Sequence, residues 1–127
     1  MTYVWIGLGA AIGANLRYLV GRLMATWLGA GFPWGTLTIN VTGSFLIGVI
    51  ATLLGERLTV PGEWRIFLVV GLLGGYTTFS SFSLEAVVLF NAGRWLAATG
   101  YILASVLLGV LACVLGIALV RADVFGS

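Results

Sequence analysis

Four charge-free stretches run along the chain, over residues 1–16, 23–55, 66–84 and 95–120. An apolar helix needs about 20 residues to cross the hydrocarbon core of a bilayer. The second stretch is too long for one helix, and Gly29-Ala30-Gly31-Phe32-Pro33 inside it is a strong turn signal. With that break the pattern predicts four spans, near 3–28, 33–54, 63–90 and 94–120. Short connections join them: the glycine turn, a polar segment from Gly55 to Gly62, and Asn91-Ala92-Gly93. Trp34, Trp64 and Trp95 fall near span starts, and Tyr3 and Trp5 open the first. Amphipathic aromatics at such places fit the two interfacial belts of a membrane. Long apolar runs, without repeated alternating segments, argue against a β-barrel. The first run has no basic segment before it, which argues against a cleaved signal peptide.

Composition narrows the class further. Of 127 residues, 61% are apolar, another 19 are glycine, and 8% are charged. A soluble domain has about 25% charged residues, so these charges cannot supply a polar skin. Acid–base enzymes are disfavoured, because there is no histidine and the only carboxylates are Glu56, Glu63, Glu85 and Asp123. A single cysteine, Cys113, excludes an intrachain disulfide and a thiolate metal cluster. The six basic residues are all arginine and are scattered, which gives no nucleic-acid patch. The expectation is an all-α integral membrane protein, one four-helix domain over 1–127.

Orientation is not decided by charge. One face receives Arg57, Arg65 and Arg121, and the other Arg22 and Arg94, joined by Arg17 if it snorkels to the nearer end. Orientation follows the Lys/Arg bias, which here nearly vanishes. A single topology set by one arginine and insertion in both directions with antiparallel pairing are both compatible with the count. Four helices of this size rarely enclose a pathway alone, so an oligomer is expected. Small residues recur at helix-packing spacing: Gly9 and Gly13, Gly71 and Gly75, then Ser105, Gly109 and Cys113 with Ala112 and Gly116. They point to close packing without naming the partner.

Several polar residues lie where lipid would not tolerate them unpaired. Thr36, Asn40 and Ser44 follow at i, i+4 and i+8 along one face of the second span, with Thr38 and Thr42 on another. Threonine in such a helix commonly bonds back to its own backbone. Asn40 must find partners or line water, either as interhelical glue or as a donor to a passing species. The third span carries Gly74-Gly75-Tyr76-Thr77-Thr78-Phe79-Ser80-Ser81-Phe82-Ser83. A glycine pair is a common cause of a kink, and a helix broken there leaves unpaired carbonyls before the break and unpaired amides after it. Irregular backbone at that depth must be buried or line a wet cavity. A serine- and threonine-rich helix interface is the plainer alternative.

Phe79 and Phe82 share a face beside Ser80 and Ser81. Their usual role is packing, yet the positive ring edge can face an anion. With Asn40 and the hydroxyl donors, they would suit a small desolvated anion, whereas a cation path favours rings of carboxylates or carbonyls. Glu85, one turn beyond Phe82, is an intramembrane carboxylate, a functional candidate or the partner of an arginine. Tyr101 and Ser105 add two hydroxyls to one face of the fourth span.

Together these segments resemble the Fluc (CrcB-type) family of fluoride ion channels over nearly the whole chain. Gly13-Ala14-Asn15-Leu16-Arg17 resembles that family's first-span motif Gly-Ala-x-x-Arg. The run Gly35 to Phe45 resembles its Gly-Thr-Leu-x-x-Asn-x-x-Gly-x-Phe, and Gly71 to Phe82 its Gly-x-x-Gly-Gly-x-Thr-Thr-Phe-Ser-Thr-Phe. Ser81 stands where the family often has threonine, which keeps the hydroxyl.

The resemblance implies an antiparallel, dual-topology homodimer in the bacterial inner membrane, with two fluoride pores and a third helix broken mid-membrane. By the same resemblance, Asn40 hydrogen-bonds fluoride and Phe79 and Phe82 present ring edges to it. Thr36, Ser80, Ser81, Tyr101 and Ser105 map beside the pathway, and Arg17 and Glu85 fall at family-typical positions with accessory roles. Gly74 and Thr77 match the break whose carbonyls hold a central structural Na+. The implied role is passive fluoride export. Two alternatives belong to other classes: a small multidrug-type exporter, which relies on a first-span carboxylate that this chain lacks, and a noncatalytic subunit of a larger membrane assembly.

Overall fold

The computed structural model describes residues 1–122, so Asp123 lies outside the described residues. Four helical stretches are long and apolar enough to cross a membrane, as the hydrophobic pattern predicts: Thr2–Leu28, Trp34–Arg57, Gly62–Asn91 and Trp95–Arg121. We label the helices α1 (Thr2–Leu28), α2 (Trp34–Thr52, continued by a π-helical turn over Leu53–Arg57), α3 (residues 62–76), α4 (Ser80–Asn91) and α5 (Trp95–Arg121). α3 is itself composite, with π-helical geometry over Ile66–Leu73 between Gly62–Arg65 and Gly74–Tyr76. Such wide turns often adjoin functional sites, and this one runs directly into the polar segment.

Two glycines make the tight connections at one end. Gly29 closes α1 at φ 84° and Gly93 follows α4 at φ 77°, a region that side chains with a Cβ rarely enter. After α4 the Arg94 amide donates to the Leu89 carbonyl at 2.9 Å and the Gly93 amide to Phe90 at 3.0 Å, the paired bonds of a Schellman cap. Arg94 also donates a side-chain hydrogen bond to the Gly31 carbonyl, tying the first loop to the last. At the opposite end Arg57 donates to the carbonyls of Val120 and Arg121, both at 3.3 Å, satisfying the end of α5. Arg121 pairs with Glu56 at 2.7 Å. These ties define an up-and-down bundle, with α2 passing from the Arg94 end to the Arg121 end.

Small residues set the packing. α1 lies against α3 through Gly9, Gly13, Gly71 and Gly75, and a methyl group at Gly75 would come within 2.8 Å of the Ala10 backbone. α2 lies against α5, with Gly48 on the Cys113 carbonyl and Gly116 on the Phe45 carbonyl. The small-residue faces therefore find partners within this chain. The largest apolar cluster, Ala86, Leu89, Ala98 and Tyr101, joins α4 to α5 near the Arg94 end and gathers Phe32, Leu37 and Phe82 around it. Most remaining leucines and valines of α1 and α5 face outward, as suits a solvent of acyl chains.

Candidate functional site

The polar segment lies where helical structure stops and restarts. α3 ends at Tyr76, Thr77 is extended at φ −83° and ψ 160°, and α4 begins at Ser80. The Thr77 amide still bonds the Leu73 carbonyl at 3.0 Å, joined by its own hydroxyl at 2.9 Å. In a continuing helix the Thr78 amide would next return to Gly74. It donates to Oδ1 of Asn40 at 2.9 Å instead, and Nδ2 of Asn40 donates to the Thr78 carbonyl at 2.8 Å. The Asn40 amide thus replaces, from the neighbouring helix, the backbone pairing that the interruption costs. One N–H of Asn40 remains beyond these two bonds.

Further contacts brace the same point. The Thr42 hydroxyl donates to the Thr38 carbonyl at 2.7 Å, so the Tyr76 hydroxyl, 2.9 Å away, is its donor in turn. Gly43 leaves the room that Thr77 and Tyr76 occupy, since a Cβ there would collide with Thr77 Cγ2. α4 restarts on Thr78, whose Oγ1 accepts the Ser81 amide at 3.2 Å in the manner of a helix cap, with the Ser80 hydroxyl 3.5 Å away. The Ser83 hydroxyl bonds the Phe79 carbonyl at 2.9 Å. In the sequence Thr78 stands out only as part of a hydroxyl-rich run. Its position three residues before Ser81, after a glycine pair, was the available signal for a cap.

Two cavities share Thr78 in their walls. The first, about 640 Å³, is lined by Arg17, Arg22, Thr36, Thr78, Ser81 and Glu85 together with the Phe32–Gly35 turn. Within it Glu85 Oε1 accepts the Thr36 hydroxyl at 2.7 Å and the Tyr101 hydroxyl at 3.5 Å. Glu85 is therefore paired with hydroxyls, not with the arginine that is its plainer expected partner. Arg17 lines the same space with its Nε buried and without a hydrogen-bond partner. Tyr101 is wholly buried, its ring edge-on to Phe32 at 5.4 Å and tilted against Phe82 at 5.1 Å. Ser105, one turn further along α5, also has a buried and unpartnered hydroxyl.

The second cavity, about 520 Å³, is walled by Asn40, Ser44, Gly74, Thr77, Thr78 and Phe79 with apolar neighbours, and its lining carries no charged side chain. Phe79 is 78% exposed, although its ring sits 5.6 Å from the largely covered Phe82. Gly74 and Ser80 are also exposed. Among the described residues, the amides of Thr78 and Ser81 go to side chains, so the carbonyls of Gly74 and Thr77 have no following backbone amide in the helical pattern. Neutral carbonyl oxygens at a helix end are donors suited to a monovalent cation, and the position fits one. The structure thus brings Asn40, Thr77, Gly74 and Phe79 to one cavity and Thr36, Ser81, Arg17 and Glu85 to the other. Phe82 packs on Phe79 and Tyr101 reaches Glu85, while Ser80 and Ser105 line neither cavity.

Four apolar spans and a polar, interrupted segment walled by two cavities define a polytopic membrane protein with the groundwork of a permeation path. Residues 4–117 match the family described as CrcB-like protein, Camphor Resistance (CrcB). The chain is 51% identical over 119 residues to the fluoride-specific ion channel FluC of Rhizobium meliloti (strain 1021), covering 94% of this chain and 95% of that protein. It is 52% identical over 116 residues to the protein of the same name from Nitrobacter winogradskyi, covering 91% and 92%. The FluC protein of Chloroflexus aurantiacus (strain ATCC 29366 / DSM 635 / J-10-fl) is 48% identical, with 91% and 92% covered. This chain belongs to the CrcB-like family.

Proposed function

We propose that this chain is a fluoride-selective channel that lets the ion leave the cell passively through the cytoplasmic membrane of a bacterium. The observation that carries the reading is the second cavity, where an amide, hydroxyls and an exposed aromatic ring surround an interrupted helix without a charged side chain. Fluoride is small and strongly hydrated, so permeation requires donors that replace its water in steps. In the second cavity a neutral donor set does this without a fixed Lys or Arg that would trap the ion. The relatives named as fluoride-specific channels, aligned over nearly their whole length, support the same assignment.

The functional unit in this reading is an antiparallel homodimer of dual topology, with two pores and α3–α4 interrupted at the middle of the bilayer. The exposed Phe79, Gly74 and Ser80 support it, because a second copy would cover them and complete each pathway. The remaining N–H of Asn40 and the ring edges of Phe79 and Phe82 face the ion, with Thr36, Ser80, Ser81, Tyr101 and Ser105 along the route. Arg17 draws anions into the first cavity, and Glu85 orders the Thr36 and Tyr101 hydroxyls. The Gly74 and Thr77 carbonyls of both copies would hold Na+. Bound there, the cation supplies a fixed positive charge that favours an anion nearby in a low dielectric.

The purified chain alone, reconstituted in liposomes loaded with fluoride, tests this against its rivals. Efflux is expected without any other subunit and without a proton gradient. Flux that requires a second protein points to an assembly subunit, and flux that requires proton exchange points to a coupled exporter.

A further inference from the structure

Away from the pathway, a third cavity opens between the first turn of α1 and the first turn of α3. It encloses about 400 Å³ and is lined by Met1, Trp5, Pro61, Glu63, Trp64 and Phe67. The indoles of Trp5 and Trp64 both stand nearly perpendicular to the Phe67 ring, at 89° and 87°, with centroids 6.2 and 6.3 Å away. Three aromatic rings thus wall one small space, and Trp64 is 54% exposed, which leaves the space accessible. Glu63 at its edge makes no hydrogen bond or ion pair among the described residues. The two functional cavities use none of these six residues.

Aromatic rings beside an unpaired carboxylate offer recognition chemistry for a cationic amine: the π-electrons of an exposed ring such as Trp64 attract the cation and the carboxylate balances its charge. Anionic or purely apolar occupants fit poorly, because either would leave the carboxylate repelled or desolvated. The level in the membrane selects among amines. α1 begins at Thr2 and α3 at Gly62, so the box lies at span ends, where tryptophans meet the headgroup layer. Val4 and Leu8, beside Trp5 in α1, are exposed and offer apolar surface for acyl chains.

The geometry points to this cavity as a binding site for the ammonium headgroup of an amine-bearing phospholipid, such as phosphatidylethanolamine. The site is independent of the fluoride reading.

Native mass spectrometry of the full chain, released from bilayers of equal phosphatidylethanolamine and phosphatidylglycerol with matched acyl chains, measures the retained lipid ratio. The parent should retain the ethanolamine lipid with a preference of roughly fivefold, the scale of one exposed cation–π contact with its counter-charge. Glu63→Gln, which keeps the shape of an exposed side chain, should bring that preference close to one, and so should Trp64→Ala. Trp95→Ala, at a span start outside the box, should leave it unchanged. Equal retention of the two lipids by the parent, or an undiminished preference in Glu63→Gln, overturns the proposal. Competition by soluble glycerophosphoethanolamine at the lipid's own concentration would assign the box to a free amine and overturn the lipid assignment.

Discussion

At the scale of single residues, the proposed channel gives Asn40 two tasks, holding the interruption together and donating to the ion. Its side chain closes two hydrogen bonds to the Thr78 backbone, and only its remaining N–H is available to an ion. Asn40→Ala leaves a part-buried donor and acceptor of Thr78 without their partner, so it should lower stability by about 1–2 kcal/mol as well as abolish flux. Thermal unfolding in detergent, read beside ion flux, reports both effects. Phe79 is the contrasting case. Because its ring is mostly exposed in the single chain, Phe79→Ile should leave the fold of the protomer within about 0.5 kcal/mol while flux collapses. A loss of stability comparable to that of Asn40→Ala would make Phe79 a packing residue. The expectation that Asn40 and the third-span cluster belong together came from residue type and spacing, since an amide inside a membrane helix must find partners. Its engagement with Thr78, and the hydroxyl partners of Glu85, depend on how α2 meets the interruption. A linear pattern does not encode that meeting.

At the scale of elements, glycine marks the helix contacts and threonine the restart of a helix. Gly75→Val should destabilise the α1–α3 contact by about 1–3 kcal/mol, because the backbone of Ala10 leaves no room. Gly7→Ala is the control. Nothing lies within 4 Å of its Cβ position, and removing a helical glycine should stabilise by about 0.5–1 kcal/mol. Chemical unfolding of both variants checks the pair. Thr78→Val removes the acceptor for the Ser81 amide and should cost about 1 kcal/mol, measured the same way. Periodicity and turn residues made the apolar helices and both glycine turns legible. The π-helical geometry of Leu53–Arg57, which carries the second helix beyond the expected end at 54, left no trace in the pattern. Its stabilising partners, Arg121 and the α5 carbonyls, are about sixty residues away, beyond any local window.

At the scale of the whole molecule, the near balance of arginines at the two ends is the feature that bears on assembly. Lysines at Leu58 and Val60, both exposed in the turn between α2 and α3, should commit the chain to one orientation. Flux from such a chain alone should be lost. It should return on co-expression with a chain that carries lysines at Ala30 and Ala92 in the opposite loops. A parent chain that already shows one orientation in accessibility labelling, together with full flux, would contradict the antiparallel account. The proposed pairing would also cover Gly74, Phe79 and Ser80, which are exposed in the single chain. Charge counting leaves topology open because it depends on differences of a single residue, whereas the path is formed by many residues acting together.

The central claim is that neutral donors and ring edges conduct fluoride selectively. The most direct measurement is anion efflux from liposomes containing the purified chain, loaded with fluoride or with chloride, for the parent, Phe79→Ile and Asn40→Asp. The account predicts rapid fluoride efflux and negligible chloride efflux from the parent, with the fluoride flux abolished by either substitution in protein that remains folded and dimeric. A folded parent that passes no fluoride, or passes chloride equally well, would contradict it.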